Sequence, residues 1–266
     1  MEDLVGRVIE NYRIESQIKN KPMFIGMDIK SNIKVAIKRY SFNAHNYLIK
    51  SEILTLTKIY HKHLITPLDI LEYSSHVFVI YEYSPGESLT DYVHRKKNLE
   101  INEVKEITRQ LLHGYKALVK NNLLHRNIKP DNVLIVQKNP LMVKLCDIGI
   151  KQKESYVNEF YIAPEIQLMK GRSNIMSDIW SFGAVIYFMV NGKSPGKQLE
   201  EAKSNVDDLI KKCLEYEPSK RISLEQIERL PFITESNEVN SLEEQKGQHF
   251  YYDPWRVVKF IMGKYY

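Results

Sequence analysis

The sequence contains little cysteine. Only Cys146 and Cys213 occur in the 266 residues. A pair so widely separated provides neither a framework of disulfides nor the ligand spacing of a zinc site. We therefore expect a protein of a reducing, intracellular setting rather than a small secreted domain held together by disulfides.

Long apolar runs and a signal region are also missing. The longest apolar stretch lies at 179–190, and Ser181 and Gly183 interrupt it. It is shorter than the roughly 20 residues that span a bilayer, so we interpret it as a buried core helix. The N-terminal stretch, MEDLVGRVIENY, is charged and has no apolar signal region. We expect a cytoplasmic or nuclear protein that does not bind membranes.

The chain also lacks a strong charge of one sign. Its net charge is +5 and its pI about 8.9, and the basic residues are spread along the sequence. The densest basic run, HRKK at 94–97, is too short to indicate a nucleic-acid-binding surface. We interpret it as a solvated face and expect no nucleic-acid partner.

The order of sequence patterns predicts an α+β fold with two lobes. Stretches 35–39 and 76–83 are rich in β-branched and aromatic residues, as strands are. Apolar residues at helical spacing predict one helix between them, over 47–60. A turn signal, SPG at 84–86, precedes a mainly helical remainder. Helices are predicted over 104–119, 177–190, 206–214 and 223–229. The prediction is a β-rich N-lobe with one helix and a mainly α-helical C-lobe.

Several short motifs occur one after another along the sequence. They are VAIK at 35–38 with Glu52 downstream, HRNIKPDN at 125–132, DIG at 147–149, APE at 163–165 and DIWSFG at 178–183, followed by Arg221. In order and spacing they resemble the signature set of protein kinases, in its Ser/Thr form. The chain is identified as a member of the protein kinase superfamily, with the resemblance running from about residue 12 to residue 232. The bilobal kinase-like fold is what this resemblance implies.

The resemblance implies roles for residues of a nucleotide site. Lys38 would contact the α- and β-phosphates of ATP and be held by Glu52. Asn132 and Asp147 would hold Mg²⁺, which prefers oxygen ligands. Backbone groups of Glu82 and Ser84, in the hinge, would bind adenine, and the side chains of Ala36 and Leu134 would pack on its two sides. Tyr81 would be the gatekeeper. Glu165 and Arg221 would form a structural ion pair. ATP and Mg²⁺ are the implied cofactors.

Three departures from the family pattern bear on activity. Asn127 stands where the family has its catalytic aspartate, and an amide has no useful basicity. The stretch IKNKPMFIG at 18–26 lacks the glycines of the phosphate-covering loop; their positions fall on Lys19, Lys21 and Phe24, within a register shift. Asn158 replaces the threonine that precedes Tyr161 by a few residues in Ser/Thr kinases. These changes favour a site that no longer catalyses phosphotransfer.

Two functions remain open at this point. The first is a pseudokinase that acts as scaffold or allosteric partner in intracellular signalling, with a protein partner such as an active kinase or a signalling scaffold. The alternative is a weak or unconventional Ser/Thr kinase, because Lys129 still matches the Ser/Thr pattern and can steady a phosphate. Lys38, Glu52, Asn132 and Asp147 either bind nucleotide and metal or only stabilise the lobes as an ion-pair network.

Three further expectations concern organisation and regulation. We predict a kinase-like domain over 1–233, with the N-lobe over about 1–82, the hinge over about 82–86 and the C-lobe over about 87–233. Residues 234–266 are predicted to be a polar linker and an aromatic C-terminal extension that docks either in cis or on a partner. Arg126 either binds a phosphate group on Ser155 or Tyr156 or is a packing residue.

Overall fold

Strands fill the first part of the chain and helices most of the remainder, in the arrangement of two lobes. The computed structural model describes residues 4–18, 22–41, 46–73, 76–97, 99–149, 156–169, 173–196 and 206–234. The predicted α+β, bilobal architecture is confirmed. The linker and extension were predicted over 234–266. Thr234 ends the last described helix, and the rest lies outside the described residues and remains a prediction.

The N-lobe is an antiparallel sheet with one helix, as predicted. Its six strands lie in the order β1-β2-β3-β4-β6-β5. Their bounds are β1 Val8–Ile9, β2 Tyr12–Gln17, β3 Met23–Asp28, β4 Ile33–Ser41, β5 Pro67–Tyr73 and β6 His76–Glu82. Helix α1, Asn46–Leu56, connects β4 to the loop before β5. The predicted strands at 35–39 and 76–83 fall within β4 and β6.

Strand β4 separates a core face from a cleft face. Successive side chains of a strand point to opposite faces. Val35 and Ile37 therefore enter the N-lobe core, where each is about as buried as Phe78 and Ile80 of the neighbouring strand. Ala36 and Lys38 point the other way, toward the C-lobe. The alternation of VAIK alone places its lysine on the cleft face.

The C-lobe combines a small sheet with helices. The sheet has the order β7-β8-β9, with bounds β7 Glu87–Ser88, β8 Val133–Lys138 and β9 Leu141–Leu145. The helices are α2 Leu89–Lys96, α3 Ile101–Lys120, α4 Pro164–Met169, α5 Ile175–Asn191, α6 Asp207–Cys213, α7 Leu224–Glu228 and α8 Pro231–Thr234, with 3-10 helices at Pro130–Asn132 and Tyr156–Tyr161. All four helices predicted for this half are present, within a few residues at each end.

Helix α5 is the buried centre of the C-lobe. Its apolar stretch was too short for a membrane span, and most of its side chains are indeed buried. Asn174 and Ser177 form a capping box at its start, and Gly192 in the left-handed conformation (φ 69°) ends it. Gly183 lets α6 approach closely, because a Cβ there would lie 2.4 Å from the Cβ of Cys213. Asp178 of this helix accepts hydrogen bonds from the backbone of the loop at 125–132.

The segment after α1 joins the N-lobe to the end of β9. The predicted helix over 47–60 ends earlier, at Leu56, and continues as tighter turns in which Ile59 donates to the carbonyl of Leu56 at 3.0 Å. Beyond it, Ile65 donates to the carbonyl of Leu145, and Leu145 donates to the carbonyl of His63, both at 2.9 Å. These bonds fix the position of the residues that follow β9, including Asp147.

Candidate active site

The loop at 125–132 is held by hydrogen bonds from its own backbone and from α5. Asp178 of α5 accepts from the backbone N–H groups of His125 and Arg126, both at 2.8 Å. Asn132 donates through Nδ2 to the carbonyl oxygen of Asn127 at 2.8 Å. These contacts fix the backbone of the loop at 125–132 against α5. The motif DIWSFG suggested that Asp178 belongs to the set, but only the structure assigns it this anchoring role.

Burial shifts the pKa of Asp178, which anchors the loop, and of His125, which belongs to it. Burial raises the pKa of Asp178 to about 6, while the N–H groups of Arg126 and His125 act in the opposite direction. Burial lowers the pKa of His125 to about 4, so its imidazole is neutral near pH 7. Neutral His125 accepts through Nδ1 from the backbone N–H of Asn127 at 3.2 Å. Protonation of His125 would remove that acceptor.

Asn127 is a buried amide directed at Asp147. It is 7% exposed, and its Nδ2 donates to Asp147 Oδ2 at 3.1 Å. Its Oδ1 has no hydrogen-bond partner in the part of the chain that the structure describes. The residue at the base position therefore supplies a donor to Asp147 and an unsatisfied acceptor, but no basic atom.

The lysine and glutamate predicted to pair do not pair. Lys38 Nζ donates to Asp147 Oδ1, with both side chains largely buried. The carboxylate of Glu52 instead accepts from Arg126 Nη1, at 2.7 Å to Oε1 and 2.8 Å to Oε2. The predicted Lys38–Glu52 contact is thus wrong for this structure. The physical reason is competition: Asp147 lies closer to the ammonium, and Arg126 offers Glu52 a cation from the C-lobe.

Apolar side chains meet where an adenine ring would lie in the kinase resemblance. Ala36 from β4 and Leu134 from β8 both pack on the cluster that contains Tyr81 and Val79. Tyr81, the predicted gatekeeper, is 7% exposed, and burial raises the pKa of its hydroxyl above the ordinary value. The structure thus brings the predicted adenine-contacting residues together, while their role in binding stays a prediction.

Three cleft residues were missed by the sequence reasoning. Ile25 lies opposite Ala36 in the β3–β4 register, and directly opposed residues share a face. Tyr40 lies two positions after Lys38 on β4, and the Lys38 ammonium lies 5.2 Å from its ring centroid. Cys146 packs on the same cluster as Ala36. The alternation along β4 would have found Tyr40, but the register that selects Ile25 needs the folded sheet.

The segment predicted as the hinge is the connection between β6 and β7. Glu82 ends β6, and Ser84 follows in the connection to β7, both half-buried. The side chain of Glu82 accepts from Lys144 of β9, which ties the hinge to the C-lobe sheet. Their backbone groups remain predicted contacts for adenine.

The predicted phosphate-covering loop falls partly on described residues. Lys19 and Lys21 lie outside them. Phe24 is 2% exposed and packs in the N-lobe core, and it pairs with Gln17 across the β2–β3 hairpin. The last predicted glycine position therefore carries a core side chain rather than an open backbone amide.

Lys129, Arg126 and the Glu165–Arg221 pair lie on described residues, whereas much of the stretch at 155–158 does not. Lys129 is half-buried, and its side chain makes no hydrogen bond or ion pair with the described residues. Arg221 donates to both carboxylate oxygens of Glu165, at 2.9 and 3.2 Å, which confirms that predicted pair. The side chains of Asn158 and Tyr156, and all of Ser155, lie outside the described residues. Arg126 contacts Glu52, a partner that the sequence reasoning did not assign to it.

The predicted magnesium ligands do not present a free carboxylate in this arrangement. Both oxygens of Asp147 accept from protein donors, Lys38 and Asn127. Asn132 is neutral, and Glu52 is paired with Arg126. Among the described residues there is no group of three His, Cys, Asp or Glu side chains that could hold a metal ion. A dication placed at Asp147 would lie beside the Lys38 ammonium, so the residues do not fit Mg²⁺ as they stand.

Comparison with known proteins places the chain among kinases. The family model described as protein kinase domain matches residues 23–233. The chain is 26% identical, over 86% of its length, to "Serine/threonine-protein kinase ATG1b" of Arabidopsis thaliana. It is 30% identical, over 71% of its length, to "Probable serine/threonine-protein kinase CCRP1" of Zea mays. These alignments cover 37% and 34% of the relatives, so the chain spans about a third of their length.

A solved structure shares the fold. It is described as "Crystal structure of Rad53 1-466 in complex with AMP-PNP" and matches with a TM-score of 0.75 at 22% identity. The match covers 84% of this chain and 66% of the other. In the described parts of the chain, no helix combines the length and the apolarity that a bilayer crossing requires. With the motifs in place across both lobes and the family model matching most of its length, the chain belongs to the protein kinase domain family, and its curated relatives include serine/threonine kinases.

Proposed function

We propose that this kinase domain is a pseudokinase, which acts as scaffold or allosteric partner in signalling rather than as a phosphotransferase. The observation that carries the proposal is the buried amide of Asn127 at the base position, donating to Asp147. An amide cannot take the proton of a substrate hydroxyl. General bases contribute about 10²–10⁴-fold to rate, so this change alone impairs catalysis strongly.

The pairing of Lys38 supports the same proposal. Kinase activity needs the lysine–glutamate ion pair and the magnesium-bound aspartate in place together. Here Lys38 donates to Asp147 while Glu52 is bound by Arg126. Both requirements are unmet in this arrangement, and the proposal does not depend on Asn127 alone.

We propose that a nucleotide site remains. Lys38 would contact phosphates, Ala36 and Leu134 would pack against adenine, and the backbone groups of Glu82 and Ser84 would bind its edge. The apolar cluster that receives Ala36 and Leu134 supports this. The structural relative was crystallised with AMP-PNP, an ATP analogue. The pseudokinase would then respond to ATP by changing its affinity for a protein partner, either an active kinase or a signalling scaffold.

A weak Ser/Thr kinase is the second candidate. The Lys129 side chain makes no hydrogen bond or ion pair with the described residues and is available to a transferring phosphate. The unsatisfied Oδ1 of Asn127 can accept from a substrate hydroxyl and hold it. Since phosphoryl transfer depends largely on positioning and electrostatics, slow turnover without a base is chemically reasonable.

A phosphotransfer assay distinguishes the two candidates. The wild-type chain and Lys38→Met are incubated with γ-labelled ATP and a mixture of Ser/Thr peptides, and label on protein and peptide is counted. We expect both proteins to give the same background. Turnover by the wild type that Lys38→Met abolishes would contradict the pseudokinase proposal and establish the weak kinase.

A third protein, Asn127→Asp, locates the defect. Turnover gained by this variant would show that the lost base is the only fault in the site. Because Lys38 and Glu52 are also misplaced, we expect no gain.

A further inference from the structure

We infer that this chain binds a nucleoside triphosphate without Mg²⁺, because Lys38 and Asn127 occupy the carboxylate that a metal ion would use. The inference rests on the proposed nucleotide site and deepens it. It concerns the charge balance around Asp147, which differs from the pattern implied by the kinase resemblance at one position, Asn127.

The first step is that each oxygen of Asp147 already accepts from a protein donor. Lys38 donates to Oδ1, and Asn127 donates to Oδ2 at 3.1 Å. The Lys38 side chain is 6% exposed and that of Asp147 is 16% exposed, so water screens their attraction poorly. A dication would have to displace this buried ammonium or lie next to it. An aspartate at 127 would instead face Asp147 as a second carboxylate and make a bridging cation favourable.

The second step is the supply of fixed positive charge. Lys38, Arg126 and Lys129 are cationic, while Asp147 and Glu52 are the facing carboxylates. The amides of Asn127 and Asn132 are neutral. The five charged groups therefore carry one positive charge in excess before any ion binds. A triphosphate, which normally arrives with Mg²⁺, would receive part of its neutralisation from these cations.

The third step concerns Lys38 itself. An ammonium has three N–H donors, of which Asp147 uses one. The remaining donors can reach a triphosphate while the contact with Asp147 persists. Asp147 then orients Lys38, the role that the kinase resemblance gave to Glu52. Phosphate binding in this arrangement does not require Glu52 to leave Arg126.

The test measures ATP affinity by calorimetric titration of the full chain, once in EDTA and once in MgCl₂. For the wild type we expect dissociation constants that agree within about threefold, since both oxygens of Asp147 already accept from Lys38 and Asn127 and offer Mg²⁺ little advantage. For Asn127→Asp we expect affinity in EDTA at least about tenfold weaker than wild type, with Mg²⁺ restoring it, because the added carboxylate repels phosphate and attracts the metal.

Two controls accompany the titration. Asn127→Ala removes the amide without adding charge, so a loss of metal-free affinity smaller than that of Asn127→Asp separates the effect of the added carboxylate from that of the lost amide. Lys38→Met removes the phosphate contact, and we expect it to weaken binding in both buffers. Each variant is first compared with wild type by thermal unfolding without ligand, so that a folding defect is recognised.

The outcomes separate this inference from the proposed function. Wild-type binding that requires Mg²⁺ overturns the inference and leaves the nucleotide site standing. Equal metal dependence in wild type and Asn127→Asp overturns the role given to Asn127. Absence of binding in both buffers overturns the inference together with the nucleotide site, while the non-catalytic proposal is still decided by the phosphotransfer assay.

Discussion

Single buried charges in the C-lobe are matched by specific partners, and their removal is expected to be costly. Arg221 has a fully buried side chain and donates to Glu165 and to the backbone carbonyls of Glu215 and Met176. Its guanidinium also lies 5.3 Å from the ring centroid of Trp180. One side chain thus joins α4, which begins within the APE motif, to the start of α5 and the loop after α6.

Replacing Arg221 by methionine should lower the free energy of unfolding by about 3–5 kcal/mol, because it leaves the Glu165 carboxylate and the carbonyls without donors. Urea unfolding measures the change. Lys220→Met is the matched control, since Lys220 is 68% exposed in its pair with Glu217 and should change stability by under about 1 kcal/mol. Equal small losses in both variants would contradict the structural role of Arg221.

Buried histidines should make stability depend on pH. Burial lowers the pKa of His125 and of His63 to about 4 from the ordinary 6.5. The unfolded chain therefore binds more protons between these values, and stability falls as the pH drops from about 6.5 toward about 4. Asp178, with its pKa raised to about 6 from 3.8, acts in the opposite direction over much of the same window.

The variant His125→Leu tests the contribution of that histidine. It removes one titrating group, so the slope of unfolding free energy against pH should decrease by up to about 1.4 kcal/mol per pH unit between pH 4 and 6.5. Urea unfolding at several pH values measures the slope, whatever the stability of the variant at pH 7. A slope identical to that of wild type would show that His125 does not stay neutral.

At the scale of elements, α1 and the central C-lobe helices differ in how they are held. Of the described side chains of α1, Ile53 and Leu56 are buried, and Glu52 reaches the C-lobe through Arg126. Helix α3 buries residues along its whole length, and α5 is buried on nearly all sides. We therefore expect α1 to open locally more often than α3.

The variant Glu52→Gln should speed amide hydrogen exchange in α1 and leave α3 unchanged. Both partners of the Glu52–Arg126 pair are 28% exposed, so global stability should change by under about 1 kcal/mol. Exchange followed by mass spectrometry measures both helices in one sample. Glu82→Gln, which breaks the hinge contact with Lys144 at the same change of charge, is the control and should not affect α1.

The close approach of α5 and α6 gives a second prediction at this scale. A methyl group at Gly183 would overlap the Cβ of Cys213 and lie 3.3 Å from Leu214. Gly183→Ala should therefore destabilise the protein by about 1–3 kcal/mol, although alanine is the better helix former. Urea unfolding measures it. A stability equal to or above that of wild type would show that the helices separate without cost.

At the scale of the whole molecule, the aromatic segment at 249–266 remains a sequence-based prediction. It contains HFYYDPWRVVKFIMGKYY, with too many large rings to favour full solvation. If it docks in cis, deleting 249–266 should lower the melting temperature by at least about 2 °C. Replacing the polar stretch 235–248 by glycine and serine of equal length is the control and should have little effect. An unchanged melting temperature after deletion would favour docking on a partner.

The sequence by itself determined the architecture and predicted part of the candidate site. Period-two alternation placed Lys38 and Ala36 on one face of a strand, and helical patterns located α3 and α5, because these signals depend only on neighbours along the chain. The loop at 125–132 could be recognised with its altered residue, Asn127. The family was predictable for the same reason, since its motifs are short and ordered.

Only the tertiary structure decided which charges meet. Lys38 can pair with Glu52 or with Asp147, and local spacing favours neither. The choice depends on where α1 lies against the C-lobe and on the competing cation Arg126, which stands far from Glu52 in sequence. Long-range contacts also selected Ile25 as the neighbour of Ala36. They likewise selected Asp178 as the anchor of the loop at 125–132. Electrostatic pairing is set by distances in the folded chain, and those distances arise from packing of whole elements.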